Sequence, residues 1–189
     1  MDTLMNNKIL TIDEDLQNIL GSKAIDFDLS ELSRAREIGE RLKATLGEKN
    51  NAAGLAAPQI GINRSVFIYS ADRKPENLVL VINPVIKGVG EYTIDSWEAC
   101  FSCMYADGRK SIAKMRRFEN IWVSYITETG AHIETILESF AAKVFQHEYD
   151  HLRGYINIRH PQVLEVKNFG DEEAFEAFMT TVRTEDHKS

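Results

Sequence analysis

One stretch of the sequence decides the fold, and it reads Phe140-Ala141-Ala142-Lys143-Val144-Phe145-Gln146-His147-Glu148-Tyr149-Asp150-His151-Leu152-Arg153-Gly154. Its apolar residues and its two histidines recur at helical spacing and therefore share one face of a helix: Phe140, Val144, His147 and His151. Gly154 can adopt the left-handed conformation that ends a helix. The stretch therefore predicts a central helix that ends near Gly154.

The same stretch contains a His-Glu-x-x-His motif, which is suited to holding a metal ion. His147 and His151 lie one helical turn apart, so both imidazoles can bind one metal. Glu148 follows the first histidine and can act as a base toward a water molecule in the site. Two surface histidines can give the same pattern by chance, so the motif alone leaves a metal site and an ordinary surface helix both open.

Length and composition limit the class of protein. The 189 residues are 43% hydrophobic, which suits one domain, residues 1–189, with a substantial core. The formal net charge of -7 argues against general binding of nucleic acid or of an anionic membrane. No apolar run has the length of a membrane span, and the N-terminus resembles neither a signal nor a transit peptide, so we expect a cytoplasmic protein. Two cysteines are too few for a disulfide framework.

Two further helices are predicted, one near each end of the chain. Residues 29–46 carry apolar residues at helical spacing, and Asp28-Leu29-Ser30-Glu31 is typical of a capping box at their start. Gly47 is expected to end this helix. From Asp171, acidic residues precede an apolar face that predicts a C-terminal helix: Phe175, Phe178, Met179 and Val182.

Short runs rich in β-branched and aromatic residues predict strands: 66–69, 78–82, 121–126 and 133–137. Around these runs we expect a strand end at Asn83-Pro84, a hairpin at 85–94, a polar, basic loop at 107–117 and an extended segment at 155–158. Strands joined mostly by turns, with three helices spread along the chain, predict an α+β fold with antiparallel sheets packed around the central helix.

A third metal ligand must come from elsewhere in the chain, because catalytic metal sites usually have three protein ligands and a water. Cys100 is a candidate, since it lies between strand-like segments and near Glu98 and Ser102. A thiolate with two imidazoles suits zinc or ferrous iron. Cys100 and Cys103 also have the spacing of a redox pair, but no thioredoxin-like pattern surrounds them.

Three stretches together resemble the peptide deformylase family, which carries Gly-x-Gly-Leu-Ala-Ala-x-Gln, Glu-Gly-Cys-Leu-Ser and Gln-His-Glu-x-Asp-His-Leu motifs in that order. Here they read Ala52-Ala53-Gly54-Leu55-Ala56-Ala57-Pro58-Gln59, Glu98-Ala99-Cys100-Phe101-Ser102 and Gln146-His147-Glu148-Tyr149-Asp150-His151-Leu152. Three motifs in order are far more specific than His-Glu-x-x-His alone. The resemblance implies one deformylase-like domain over residues 1–189.

The resemblance implies a complete metal site. Its ligands are Cys100, His147 and His151, and a water molecule fills the remaining position. Glu148 takes a proton from that water and passes it to the leaving amine. Family members use Fe²⁺ natively and also work with Ni²⁺, Co²⁺ or, poorly, Zn²⁺, so we expect Fe²⁺ here.

The resemblance also implies how a substrate is held. Gln59 and the backbone N–H of Phe101 stabilise the oxyanion, and Gly54 lets the backbone approach the substrate. Phe140 and Val144 lie on the helix face of the metal ligands, so they predict an apolar pocket for a methionine side chain. Both residues also fit as core residues, and the two interpretations stand together.

The implied reaction removes the N-terminal formyl group from formyl-methionine of newly made polypeptides and releases formate. The expected partner is therefore a formylated nascent polypeptide. No direct nucleic-acid binding is expected, and the acidic tail from Asp171 makes docking on the ribosome doubtful. The open alternatives are a paralogue that acts on another N-formyl compound, a non-catalytic metal-binding homologue, and a zinc peptidase with a different third ligand.

Three residues depart from the family motifs, since Ala52, Ala99 and Phe101 stand where the family has Gly, Gly and Leu. Ala99 is strained if its position needs a positive φ. None of the three removes a metal ligand, the base or Gln59, so the departures bear on substrate fit.

Other polar residues near the motifs carry further expectations. Gln146 and Asp150 are predicted to orient the ligand imidazoles. Three histidines are expected to be exposed to solvent: His132, His160 and His187. Arg116 and Arg117 are expected to lie in a solvated loop, and contact with a substrate backbone is the alternative.

Overall fold

The computed structural model describes residues 8–47, 49 and 52–186, with side chains as far as residue 182. The helices are α1 (Leu32–Gly47), α2 (Ser139–Leu152) and α3 (Glu172–Asp186). The strands are β1 (Gly54–Ala56), β2 (Val66–Tyr69), β3 (Val79–Val89), β4 (Thr93–Met104), β5 (Lys110–Phe118), β6 (Asn120–Ile126), β7 (His132–Glu138) and β8 (Val163–Phe169). Among the described residues, no helix is long and apolar enough to cross a bilayer.

The strands form two antiparallel sheets. The first contains five strands in the order β1-β2-β3-β6-β7, and the second contains three in the order β4-β5-β8. Helix α2 contacts strands of both sheets. The predicted α+β fold, with antiparallel sheets and three helices, is confirmed.

Aromatic packing fixes α2 against the five-stranded sheet. Phe145 is fully buried, and its ring meets Phe67 at 5.0 Å and Tyr69 at 5.7 Å, both edge to face. Such pairs contribute about 0.5–1.5 kcal/mol beyond burial. After the helix, Gly154 has φ +78°, and a Cβ there would lie 2.7 Å from the carbonyl oxygen of Gly21. The central helix therefore ends as predicted and is held in one position.

The helix signals near the two ends of the chain are also confirmed. The Asp28 carboxylate accepts the N–H of Ser30 at 2.9 Å, and the Glu31 carboxylate accepts the N–H of Asp28 at 3.0 Å. The first turn is a 3₁₀ turn, so the α-helix begins three residues later than predicted. In α3, Phe178 packs edge to face on Trp97 of β4 at 5.2 Å. The end of the acidic tail, 183–189, lies outside the described side chains.

The sequence prediction that Asn83-Pro84 ends a strand is wrong. Strand β3 continues to Val89 across a register shift at this point. Asn83 has φ +48°, and its side chain donates to the carbonyl of Phe27 at 2.8 Å and accepts the N–H of Phe27 at 2.9 Å. The proline is tolerated because it lies at an irregularity in the ladder.

Residues 85–94 do not form the predicted hairpin. Strand β3 pairs with β6 and strand β4 pairs with β5, so the chain passes from one sheet to the other here. The N–H of Gly90 donates to the carbonyl of Asn120 at 2.8 Å, which extends the pairing of β3 with β6 up to the crossing. The glycines in this segment therefore mark a passage between sheets.

The loop predicted at 107–117 is confined to residues 107–109, because β5 begins at Lys110. Strand β5 is the central strand of the second sheet and pairs with both β4 and β8. The strand was not predicted, because basic residues interrupt its apolar residues. Five of its residues are nevertheless buried: Ser111, Ile112, Ala113, Met115 and Arg117. The extended segment predicted at 155–158 instead enters a 3₁₀ turn at Asn157–Arg159, and β8 was not predicted.

Candidate metal centre

The three predicted metal ligands meet at one point. Cys100 lies on β4, and His147 and His151 lie on α2. Their ligand atoms are all within 4.8 Å of one another, and the Cys100 Sγ is 3.4 Å from the His151 Nε2. Cys100 is 2% exposed and His151 is 1% exposed. The fold therefore encloses three donor atoms that come from two different elements.

These side chains fit a metal ion. A thiolate with two imidazoles suits zinc or ferrous iron. Glu148 lies beside the donor set, is 4% exposed, and its Oε2 has no hydrogen-bond partner among the described residues. Buried polar atoms are nearly always paired, so this oxygen indicates a group bound next to the three donors.

The surroundings of Glu148 suit a general base. Burial, the largest cause, raises the pKa of Glu148 to about 7. A base works best when its pKa lies near the operating pH. Gly54 of β1 lies against this carboxylate, because a Cβ at Gly54 would be 2.6 Å from the Glu148 Oε1. Only glycine leaves the carboxylate in this position.

Glu98 orients one of the imidazoles. Its Oε2 lies 2.9 Å from the Nδ1 of His147, which leaves the Nε2 for a metal. Arg117 of β5 donates to the same carboxylate through Nε at 2.8 Å and Nη2 at 2.9 Å. Burial alone would raise the pKa of Glu98, but Arg117 and then His147 lower it below its usual range. The carboxylate therefore stays ionised between them.

The sequence predicted that Arg117 lies in a solvated loop, and this prediction is wrong. Arg117 is 2% exposed, and its Nη1 donates to Asp150 at 2.5 Å. Asp150 in turn lies 3.5 Å from the Nε2 of His160, which is 9% exposed, so the predicted exposure of His160 is also wrong. The two acidic partners of Arg117, Glu98 and Asp150, are 19 and 33 residues away from it in the sequence. No local pattern could therefore have revealed the buried network.

The sequence predicted that Gln146 and Asp150 orient the ligand imidazoles, and this prediction is wrong. Gln146 accepts the N–H of Phe118 at 3.0 Å and donates to its carbonyl at 2.8 Å, so it ties α2 to the end of β5. Asp150 binds the buried arginine instead. His132 is exposed as predicted, and His187 lies outside the described residues.

Gln59 points its side-chain nitrogen toward the metal ligands. Its Nε2 lies 3.6 Å from the Cys100 Sγ and 3.3 Å from the Ser102 Oγ. Its Oε1 accepts the N–H of Ala56 at 2.9 Å, which fixes the orientation of the amide. Phe101 follows the ligand cysteine on β4. Both predicted oxyanion residues therefore lie at the donor set, and their role stays a prediction.

The predicted pocket residues lie on α2 at different depths. Val144 is 7% exposed and belongs to the same core cluster as Phe145. Phe140 is half-buried against this cluster, and the guanidinium of Arg73 lies 4.5 Å from its ring centroid. Both residues contribute to the core, and their contact with a substrate stays a prediction.

The departures from the family motifs cause no backbone strain. Ala99 pairs with Ile112 in the ladder of β4 and β5, and it is not among the residues with positive φ. Ala52 and Phe101 are half-buried and pack against one hydrophobic cluster. The added methyl groups are therefore accommodated.

An α+β fold with a largely buried Cys-His-His donor set and an adjacent glutamate is the arrangement of a metal-dependent hydrolase. The chain belongs to the polypeptide deformylase family, whose model matches residues 7–167. The three sequence motifs predicted this family, and the prediction is confirmed.

Named relatives agree with this assignment. The peptide deformylase of Thermotoga petrophila is 37% identical over 108 residues, which are 57% of this chain and 61% of that protein. Peptide deformylase 2 of Rickettsia conorii is 32% identical over 164 residues, 80% of this chain and 78% of that protein. A class I type b peptide deformylase from Acinetobacter baumannii, solved with Met-Ala-Ser bound, superposes with a TM-score of 0.70 at 28% identity, covering 81% of this chain and 97% of that chain.

Proposed function

We propose that this protein is a peptide deformylase that hydrolyses the N-terminal formyl group of formyl-methionine on newly made polypeptides and releases formate. The observation that carries the proposal is the position of Glu148, a carboxylate with a raised pKa beside three converging metal-ligand side chains. The Acinetobacter baumannii relative bound to Met-Ala-Ser supports a peptide substrate that begins with methionine.

The residues of the site divide the reaction among them. A metal held by Cys100, His147 and His151 would lower the pKa of a water molecule and polarise the formyl carbonyl. Glu148 accepts the proton of the attacking water and returns it to the amine as the carbon–nitrogen bond breaks. A formyl carbon carries only hydrogen, so an enclosed site accepts it and excludes larger acyl groups.

Two donors serve the oxygen that becomes negative as water adds. Gln59 supplies its Nε2, whose direction is fixed because the Oε1 is held by the backbone of Ala56. Phe101 supplies its backbone N–H. Removing one such donor typically costs about 2.7–4 kcal/mol of transition-state stabilisation. Gly54 lies against the base, since a Cβ there would be 2.6 Å from the Glu148 Oε1, and we assign to its backbone the approach to the substrate.

The identity of the metal and the setting of the protein belong to the same proposal. We assign Fe²⁺ as the native metal, with Zn²⁺, Ni²⁺ or Co²⁺ as substitutes, because a thiolate with two imidazoles suits ions of this kind. We also assign one domain over residues 1–189, a cytoplasmic location, and a formylated nascent chain as the partner.

The test is formate release by protein purified without oxygen and supplied with Fe²⁺. Formyl-Met-Ala-Ser should be hydrolysed, whereas acetyl-Met-Ala-Ser should not. A chelator should abolish the reaction, and added Fe²⁺ should restore it. A metal-loaded protein that releases no formate from the peptide would contradict the proposal, and release from another N-formyl compound alone would identify the paralogue.

A further inference from the structure

The part of β4 that carries Cys100 is irregularly paired within its own sheet. Strand β4 pairs with β5 as far as Ala99 and again only at Met104. Between these two points, residues 100–103 lie opposite Ser111 alone. Such a bulge lacks the regular ladder hydrogen bonds that fix a strand. A ligand in this segment therefore depends on contacts from outside the sheet.

Asn157 supplies contacts on both sides of the ligand. Its Nδ2 donates to the backbone carbonyl of Glu98 at 2.9 Å, and its Oδ1 accepts the thiol of Cys103 at 3.5 Å. The same Oδ1 accepts the N–H of Ile158 at 2.9 Å, which fixes the orientation of the amide. Asn157 is 3% exposed and Cys103 is fully buried, so water competes little with these bonds.

We propose that Asn157 is a positioning residue for Cys100. It lies on the 3₁₀ turn that follows α2, the helix that carries His147 and His151. Its amide therefore connects the two elements that supply the metal ligands. It acts through the backbone carbonyl of Glu98 before the cysteine and through the thiol of Cys103 after it. This inference rests on the proposed function in one respect, which is that Cys100 binds the metal.

The direct test compares Asn157→Ala with Asn83→Ala, a variant that also loses two bonds to backbone groups but in the other sheet. Loss of a residue that orients a ligand typically lowers metal affinity about 10–100-fold. We expect that loss in Asn157→Ala, measured by competition for Co²⁺ with a chelator. The thiolate-to-cobalt absorption band should change, and alkylation of Cys100 in the metal-free protein should become faster. Asn83→Ala should keep the affinity and the band.

Cys103 gives a second test that leaves Asn157 in place, and equal affinity in its two variants would contradict the positioning role even if Asn157→Ala does not fold. Cys103→Ser keeps a hydrogen donor for the amide, so its metal affinity should match that of the wild type. Cys103→Ala removes the donor and should bind the metal more weakly.

Two results would overturn the positioning role. The first is a folded Asn157→Ala with affinity within about twofold of the wild type, well short of the expected loss. The second is equal affinity in the two Cys103 variants. Cys100→Ser distinguishes failure of the positioning role from failure of the proposed metal site. Undiminished affinity in Cys100→Ser would overturn the ligand set and the inference together.

Discussion

Glu148 shows how burial sets the chemistry of a single residue. One carboxylate oxygen lies against Gly54, and the other has no partner among the described residues. The same burial raises its pKa to about 7. A carboxyl group with a pKa near neutral can accept a proton in one step and return it in the next.

Gly54→Ala tests this enclosure. The added Cβ would lie 2.6 Å from the Glu148 Oε1, so the carboxylate must move. A displacement of about 1 Å can cost roughly 10²-fold in rate, and we expect a loss of this order in kcat with metal affinity retained. Gly47→Ala is the control, because a Cβ at Gly47 meets nothing within 4 Å. Normal kcat in Gly54→Ala would contradict the claim that the Glu148 carboxylate is confined by Gly54.

At the scale of elements, the sequence predicted those helices, caps and motifs that depend only on neighbouring residues. The helical spacing of α2, the Asp28 cap and the three motifs could all be read from neighbouring residues. Strand β5 could not, because Lys114 and Arg116 interrupt its apolar residues. The role of Arg117 depends on acidic residues that are distant in the sequence. Burial of a charge follows from tertiary contacts, which no window of sequence contains.

Arg117→Met and Arg116→Met compare a buried and an exposed arginine at adjacent positions of β5. Removing one member of a buried ion pair typically costs about 3–5 kcal/mol, so Arg117→Met should lose that much unfolding free energy. Arg116 pairs with Asp95 on the surface, and such exposed pairs contribute little to stability, so Arg116→Met should lose far less. Urea unfolding of the metal-free proteins measures both. Equal losses would contradict the structural role assigned to the buried network.

At the scale of the whole molecule, α2 contacts both sheets and brings the ligands of two elements together. The fold class could be predicted, because turns between strands indicate antiparallel sheets. The sheet to which each strand belongs could not be predicted. Gly88 and Gly90 suit a hairpin and a passage between sheets equally well. Only the pairing of β3 with β6 decides between the two.

The core also predicts how the molecule responds to alkaline pH. Burial, followed by the charge of Tyr125, raises the pKa of Tyr69 from 10.0 to about 12. Between pH 10 and 12, the unfolded chain loses this phenolic proton while the folded chain keeps it, so stability falls by roughly 2–3 kcal/mol. Tyr69→Phe should flatten the decline in unfolding free energy, whereas Tyr92→Phe, at a residue that is 70% exposed, should not. Identical pH profiles for wild type and Tyr69→Phe would contradict this account.

The most direct test of the central claim is formate release by Glu148→Gln from formyl-Met-Ala-Ser, with metal content measured on the same sample. An amide cannot accept the proton, and loss of a general base typically costs about 10²–10⁴-fold in rate. The exposed Glu138→Gln, at the start of the same helix, is the control and should keep full activity. The account predicts that Glu148→Gln retains its fold and metal but loses formate release by two to four orders of magnitude. Near-normal turnover in the metal-loaded variant would contradict it.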